Sequence, residues 1–241
     1  VLAGCSAQPA PRGDGHPPTI VSLNPCTDAI LAEIALPGQL LAISHYSKHP
    51  RSSSMEAATA RRFPATGGTV EEVLALNPDI VVAGSFLAPA TRVALEDMGL
   101  RVVLVGMATN VDDIMAQVRE MAALAGNPSA GERLVNRIEG ALAAARPNTG
   151  QRVSTVLWQP DGIVPGGEQL ISVLMANAGL DNQSAERGMA QADYLSLEQV
   201  VADPPQLLLV AGSERGQRHP VLEELPDMTR ASFDPALLYC G

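Results

Sequence analysis

Thr69-Val70-Glu71-Glu72-Val73-Leu74-Ala75-Leu76-Asn77-Pro78-Asp79-Ile80-Val81-Val82 has an echo late in the chain. The second copy is Ser196-Leu197-Glu198-Gln199-Val200-Val201-Ala202-Asp203-Pro204-Pro205-Gln206-Leu207-Leu208-Leu209. Each copy opens with a hydroxyl residue followed three positions later by Glu or Gln, the capping-box start of a helix: Thr69/Glu72 and Ser196/Gln199. Proline then stops the helix, at Pro78 and Pro205. An aliphatic run follows, Ile80 to Ala83 and Leu207 to Ala211, of the kind a strand covered on both faces requires. Helix followed by buried strand implies a parallel sheet, and the duplication implies two similar lobes. Glu71 and Glu198 hold the same place in the two helices, where packing asks nothing of a carboxylate.

Outward from the first copy the chain alternates. The expected units are strand Thr19–Leu23, a helix over 27–35, strand Leu40–Ser44, the repeat helix, strand Ile80–Ala83, a helix over 90–98 and strand Arg101–Val105. Asn24-Pro25 fits an N-cap followed by proline at the first helical position. The loop Asn24–Thr27 therefore joins a strand's carboxyl end to a helix N-terminus, where open sheets bind ligands. Residues 110–146 carry no strand signal. Asn110 can cap one helix there, and Ser129/Glu132 can box a second that runs to Arg146-Pro147, roughly 18 residues or about 27 Å. Alternation then resumes with strand Val153–Trp158, a Gly-rich turn Gly162–Gly167, a helix over 169–178, the second repeat helix, strand Leu207–Ala211 and a strand-like Ala236–Cys240. The expected fold class is α/β, two lobes with mainly parallel sheets joined by one long α-helix, with a ligand cleft between the lobes. The boundaries are 1–18 for a lipobox and flexible tether, 19–109 for the N-terminal lobe, 110–148 for a helical linker with the strut, and 149–241 for the C-terminal lobe, read as truncated. A single strut predicts limited hinge motion.

Composition removes several partners. Aromatic residues are 3% of the chain, too few for a base-stacking platform, and 26 acidic against 16 basic residues give a net charge of −10, which repels nucleic acid. No run approaches the ~20 apolar residues of a membrane span. The opening Leu2-Ala3-Gly4-Cys5 resembles a bacterial lipobox, which makes Cys5 the lipidated residue and the membrane a partner through a lipid anchor alone. The Pro/Gly-rich Gln8–Pro18 has the composition of a tether. Cys26 and Cys240 are too few for a disulfide framework or a four-ligand zinc site and are read as buried or cleft thiols.

Lipobox, tether, two α/β lobes with repeated Glu-bearing helices and one strut together resemble the periplasmic solute-binding proteins of ABC importers for cobalamin and ferric siderophores. The residues that carry the likeness are Ile20-Val21-Ser22-Leu23-Asn24-Pro25, Gly67-Gly68 with Val70–Asp79, and the echo Leu197–Pro205. The resemblance implies a monomeric periplasmic lipoprotein that passes a small-molecule metal chelate to a permease with its ATPase. It also implies that Glu71 and Glu198 dock on arginines of that permease. No cofactor is expected beyond the iron or cobalt that the ligand carries.

Loops after the strands would line the cleft. Ser44-His45-Tyr46-Ser47-Lys48-His49-Pro50 is the densest cluster, and the expected ligand-binding residues are Asn24, Cys26, His45, Tyr46, Lys48, His49, Ser85, Phe86, Trp158, Arg187, Tyr194 and Arg215. Trp158 has core packing as its rival reading. The alternatives are a two-lobed metal-cofactor enzyme, or a binder of metal ion or haem, using His45, His49 and Cys26; a scaffolding lipoprotein with an apolar patch is a third class. No Gly-x-Ser-x-Gly, Walker loop, dinucleotide fingerprint or His-Glu-x-x-His is present, so no catalytic residue is expected.

Overall fold

The computed structural model describes residues 16–238. These divide into two compact units: residues to Met107 together with Gln117–Leu134, and Ala108–Ala116 together with Val135–Leu238. The stretch expected as a separate linker is thus shared out, each of its two helices contributing to both units.

In the first unit five parallel strands lie in the order β3-β2-β1-β4-β5: β1 Ile20–Ser22, β2 Leu40–Ser44, β3 Ala65–Thr66, β4 Ile80–Gly84 and β5 Arg101–Val105. The pairing Ile20↔Ile80, Val21↔Val81 and Ser22↔Val82 sets the two central strands in register. One sheet face carries Ile20, Ile43, Ile80 and Val82. These pack against Leu31 and Ile34 of α1 (Pro25–Ile34), Met121 and Ala122 of α5 (Val111–Leu124) and Ala130 at the start of α6 (Pro128–Ala145). Val21, Ala42 and Val81 on the other face meet Val73 of α3 (Val70–Leu76) and Leu95 of α4 (Pro89–Asp97). Burial on both faces is what the unbroken aliphatic runs require, and each fully buried Leu or Ile contributes about 1.5–3 kcal/mol.

The second unit has a parallel sheet in the order β11-β10-β6-β8: β6 Val153–Trp158, β8 Leu180–Asn182, β10 Leu207–Val210 and β11 Thr229–Ser232. A small antiparallel pair joins β7 Ile163–Val164 to β9 Asp193–Tyr194. Val156, Leu208 and Val210 pack against Val200 of α9 (Leu197–Ala202), while Leu157 meets Met175 of α7 (Leu170–Asn177) on the opposite face.

Three local expectations are corrected. Pro235–Leu238 is a 3₁₀ turn, so no strand occupies 236–238, and the edge strand is the polar Thr229–Ser232; residues 239–240 lie outside the described range. Glu132 pairs with Arg119 at 2.9 Å, and Ser129 lies inside a helix that begins at Pro128, so that capping box does not form. Glu72 reaches past its own cap, accepting from Thr66 Oγ1 and Gly67 N, whereas Ser196 and Gln199 close a full box. Between α3 and β4 the chain turns through Asn77 in the left-handed region (φ 46°), where asparagine is tolerated, and Pro78 prevents further helix.

Candidate functional site

Each sheet has a point where its strand order reverses, between β1 and β4 in the first unit and between β6 and β10 in the second. Loops leaving the carboxyl ends of such strand pairs part and leave room for a ligand.

In the first unit that point is built by Asn24 and Gly84. Asn24 caps α1, its Oδ1 accepting from Cys26 N at 2.8 Å, and a Cβ on Gly84 would stand 2.7 Å from Asn24 Nδ2. Glycine there lets the two strand ends approach. After β2 the chain makes a 3₁₀ turn, His45–Lys48, whose cap is Ser44. Asp28, in the first turn of α1 and fully buried, holds this turn from beneath: its Oδ2 accepts from Ser44 N at 2.9 Å and Ser47 Oγ at 2.6 Å. Burial pushes its carboxyl up to about 7, against the opposing pull of hydrogen bonds from Ser22, Ser47 and Ser44.

The turn leaves Tyr46 54% exposed with the His45 ring 4.1 Å away, centroid to centroid, and the loops after β4 and β5 leave Phe86 81% and Met107 67% exposed. Three large apolar side chains thus stand in water at the carboxyl ends of one sheet. Ser85 and His49 are exposed in the same loops. His45 Nδ1 lies 3.3 Å from Thr66 O.

Two expected ligand groups of this unit are corrected. Lys48 donates its ammonium protons to the carbonyls of Ala60 and Phe63, so its charge is spent on the chain that leaves α2 (Ala57–Ala60). Cys26 is disulfide-bonded, so it is not a thiol and offers a metal no thiolate; Cys5 and Cys240 both lie outside the described residues, as does the expected lipidation. Among the described residues no group of three His, Cys, Asp or Glu side chains is placed to hold a metal ion.

The second unit repeats the first unit's device with other residues. Gln217, buried after β10, donates to Trp158 O at 3.0 Å and accepts from Glu214 N at 3.0 Å, and a Cβ on Gly212 would stand 2.7 Å from its Oε1. Glu214 in turn accepts from Asp161 N at 2.8 Å, tying the two loops together. Arg215 and Tyr194 are exposed beside them. Trp158 is core: its indole is 3% exposed, donates to Leu195 O at 2.9 Å and packs among Val164, Leu195 and Leu222, which corrects its placing as a ligand wall. Arg187 is corrected as well, because its guanidinium pairs with Asp203 at 2.9 Å and donates to Gln183 Oε1.

Glu71 and Glu198 both stand exposed at the second position of α3 and α9. The next residue along, Glu72 or Gln199, turns back to satisfy the backbone, which leaves the glutamate before it facing out. Glu198 is held below the usual carboxylate range by its own backbone N–H first, then by Ser196 and the nearby His219.

Asp28, Gln217 and Met107 escaped sequence reading. An acid in a first helical turn ordinarily faces water, and nothing local marks Asp28 as buried. The glycine that follows the aliphatic run in each half, Gly84 and Gly212, was the available signal for a close approach at both switch points.

The chain matches the model of a family described as periplasmic binding protein over residues 20–229. It is 24% identical over 205 residues to a cobalamin-binding protein of Halobacterium salinarum, covering 83% of this chain and 55% of that one. It is 25% identical over 205 residues to a vitamin B12-binding protein of Yersinia pestis, covering 81% and 70%. The chain therefore spans about half the length of the first of these relatives. Among solved structures, a periplasmic heme-binding protein from Roseiflexus sp. RS-1 superposes with a TM-score of 0.73 at 23% identity, covering 91% of this chain and 90% of that one. A periplasmic vitamin B12-binding protein of Vibrio cholerae gives 0.68 at 18%, covering 93% of each chain. At these identities the superpositions speak to fold.

Proposed function

The chain belongs to the periplasmic binding protein family, and from that premise we propose that it is the substrate-binding component of an ABC importer, a periplasmic carrier with no catalysis of its own. Its cargo is a metal chelate, and the reading favoured here is a metallated macrocycle of the corrinoid or haem kind. The observation that carries this is the exposure of Tyr46, Phe86 and Met107 together at the strand ends of the first unit. Large apolar side chains grouped in water mark a binding surface, and a flat ring system covers such side chains as no hydrated ion does. The siderophore alternative calls for cationic groups. With Lys48 and Arg187 tied to protein oxygens, Arg215 is left of the cations first expected to face a ligand. Relatives named for cobalamin and heme support the same choice.

Delivery is assigned to Glu71 and Glu198, whose exposed carboxylates meet cations of a membrane permease, and anchoring to Cys5 through a lipid. Ser85, His49, Asn24 and Tyr194 are assigned to the ligand surfaces of their own units.

The test is titration with cyanocobalamin, haemin and a ferric hydroxamate siderophore, followed by absorbance and calorimetry, on wild type and on Tyr46→Ala and Phe86→Ala. A macrocycle is expected to bind, and each variant to weaken it about tenfold, the loss of roughly 1.4 kcal/mol of ring contact. Binding of the siderophore alone would overturn the macrocycle reading, and binding of none would overturn the carrier reading.

A further inference from the structure

The 3₁₀ turn His45–Lys48 is short and polar and lies over a fully buried carboxyl. Asp28 uses only one of its oxygens. Oδ2 accepts from Ser44 N and Ser47 Oγ, while Oδ1 is buried and has no hydrogen-bond partner. Beside it runs a chain of hydroxyls. Ser22 Oγ and Thr27 Oγ1 lie 2.7 Å apart, either able to donate, and Thr27 Oγ1 stands 3.0 Å from Asn24 O. A carboxylate in this place keeps a buried oxygen that no hydrogen bond satisfies, whereas a carboxylic acid can carry its proton there and still accept both bonds from the turn at Oδ2.

We propose that Asp28 is the positioning residue of the Tyr46 turn and acts as a proton-loaded latch: its acid form sits closed under the turn, and loss of the proton drives the turn open so that water reaches the carboxylate. The inference rests on the carrier reading only in that it makes this turn part of the ligand surface.

Among the described residues no ion pair with Asp28 competes with the proton. The titratable side chains on the elements packed against Asp28 are Glu33 of α1 and His45, Tyr46 and Lys48 of the turn, with Glu56 and Arg61 flanking α2. None is among the causes that act on its carboxyl, which are burial and the hydrogen bonds of Ser22, Ser47 and Ser44. Lys48 is held by Ala60 and Phe63, and His45 lies against Thr66. The direction follows from linkage. The closed turn holds its proton to about pH 7, while an opened and hydrated Asp28 returns to the ordinary carboxylate range, so raising the pH favours opening.

Amide hydrogen exchange of Ser44 to Lys48 in the full chain tests this, with rates divided by the intrinsic chemical rate at each pH. Between pH 6 and pH 8 the opening equilibrium of the turn is expected to rise about tenfold in wild type. Asp28→Asn, which keeps an acceptor and cannot titrate, is expected to show no such rise, and Ser47→Ala to raise opening at both pH values while keeping the slope. A flat wild-type profile, or the same slope in Asp28→Asn, overturns the latch. Haemin and cyanocobalamin are then added to each protein. A ligand that binds and suppresses exchange in the turn supports both readings. One that binds without changing it removes the turn from the ligand surface and leaves the pH arm to judge the latch alone.

Discussion

Lys48 ends a one-turn helix with its ammonium between two carbonyl oxygens, those of Ala60 and Phe63. Hydrogen bonds to a charged donor contribute about 1.5–3 kcal/mol each, and removing the donor leaves two acceptors without it. Lys48→Met is therefore expected to lower stability by about 2 kcal/mol, read as a shift of the urea midpoint at unchanged m-value. Sequence alone marked this lysine as chemically available because its partners lie 12 and 15 residues away, with no pattern linking donor to acceptor. Arg187 and Trp158 were opaque for the same reason, since Asp203 and Leu195 come close to them only once the second sheet is assembled. The exposure of Tyr46 and Phe86 was legible, because an aromatic residue just after a buried strand has few places to go except the rim.

At the scale of elements, caps decide where the repeated helices begin, and both repeats were readable because a cap is a local bargain among four residues. Ser196→Ala removes the side-chain acceptor for Gln199 N while keeping the backbone N–H that donates to Gln199 Oε1, an expected loss of about 1 kcal/mol measurable by thermal unfolding. Glu72 gives the pH counterpart. Hydrogen bonds from Thr66 first, then from Gly67, hold its carboxyl below the ordinary range. Its stabilising effect is thus present above the unfolded-state value and is lost as pH falls through the lowered folded-state value. Glu72→Gln should cost stability at pH 7 and little at pH 3, in a melting series run across that interval; equal losses at both would mean that its charge has no part in holding Thr66 and Gly67. The long aliphatic strands were readable to the residue, as in Leu40–Ser44, Arg101–Val105 and Val153–Trp158. The two-residue strands β3, β7 and β9 were not, since two residues carry no period. The edge strand Thr229–Ser232 escaped because its exposed polar side chains lack the apolar alternation by which strands are recognised.

At the scale of the molecule the duplication becomes a statement about charge. Each unit ends a cap with one glutamate turned outward, and the chain as a whole carries a net charge of −10. Against that background a single carboxylate adds little to the general field, so Glu71 and Glu198 can matter to a partner only through close contact. This separates two accounts. If the pair serves the helix dipole alone, Glu71→Lys and Glu198→Lys each cost about 0.3–1 kcal/mol of stability and nothing else. If they meet permease cations, reversal places like charges together, and truncation or reversal of a close charge pair costs 2–5 kcal/mol of association. The expected outcome is that both reversals leave macrocycle affinity unchanged while each lowers uptake in proteoliposomes carrying the cognate permease and ATPase by tenfold or more, with Glu71→Gln and Glu198→Gln intermediate. Uptake that survives the double reversal would confine these residues to their helices and return the docking surface to open search.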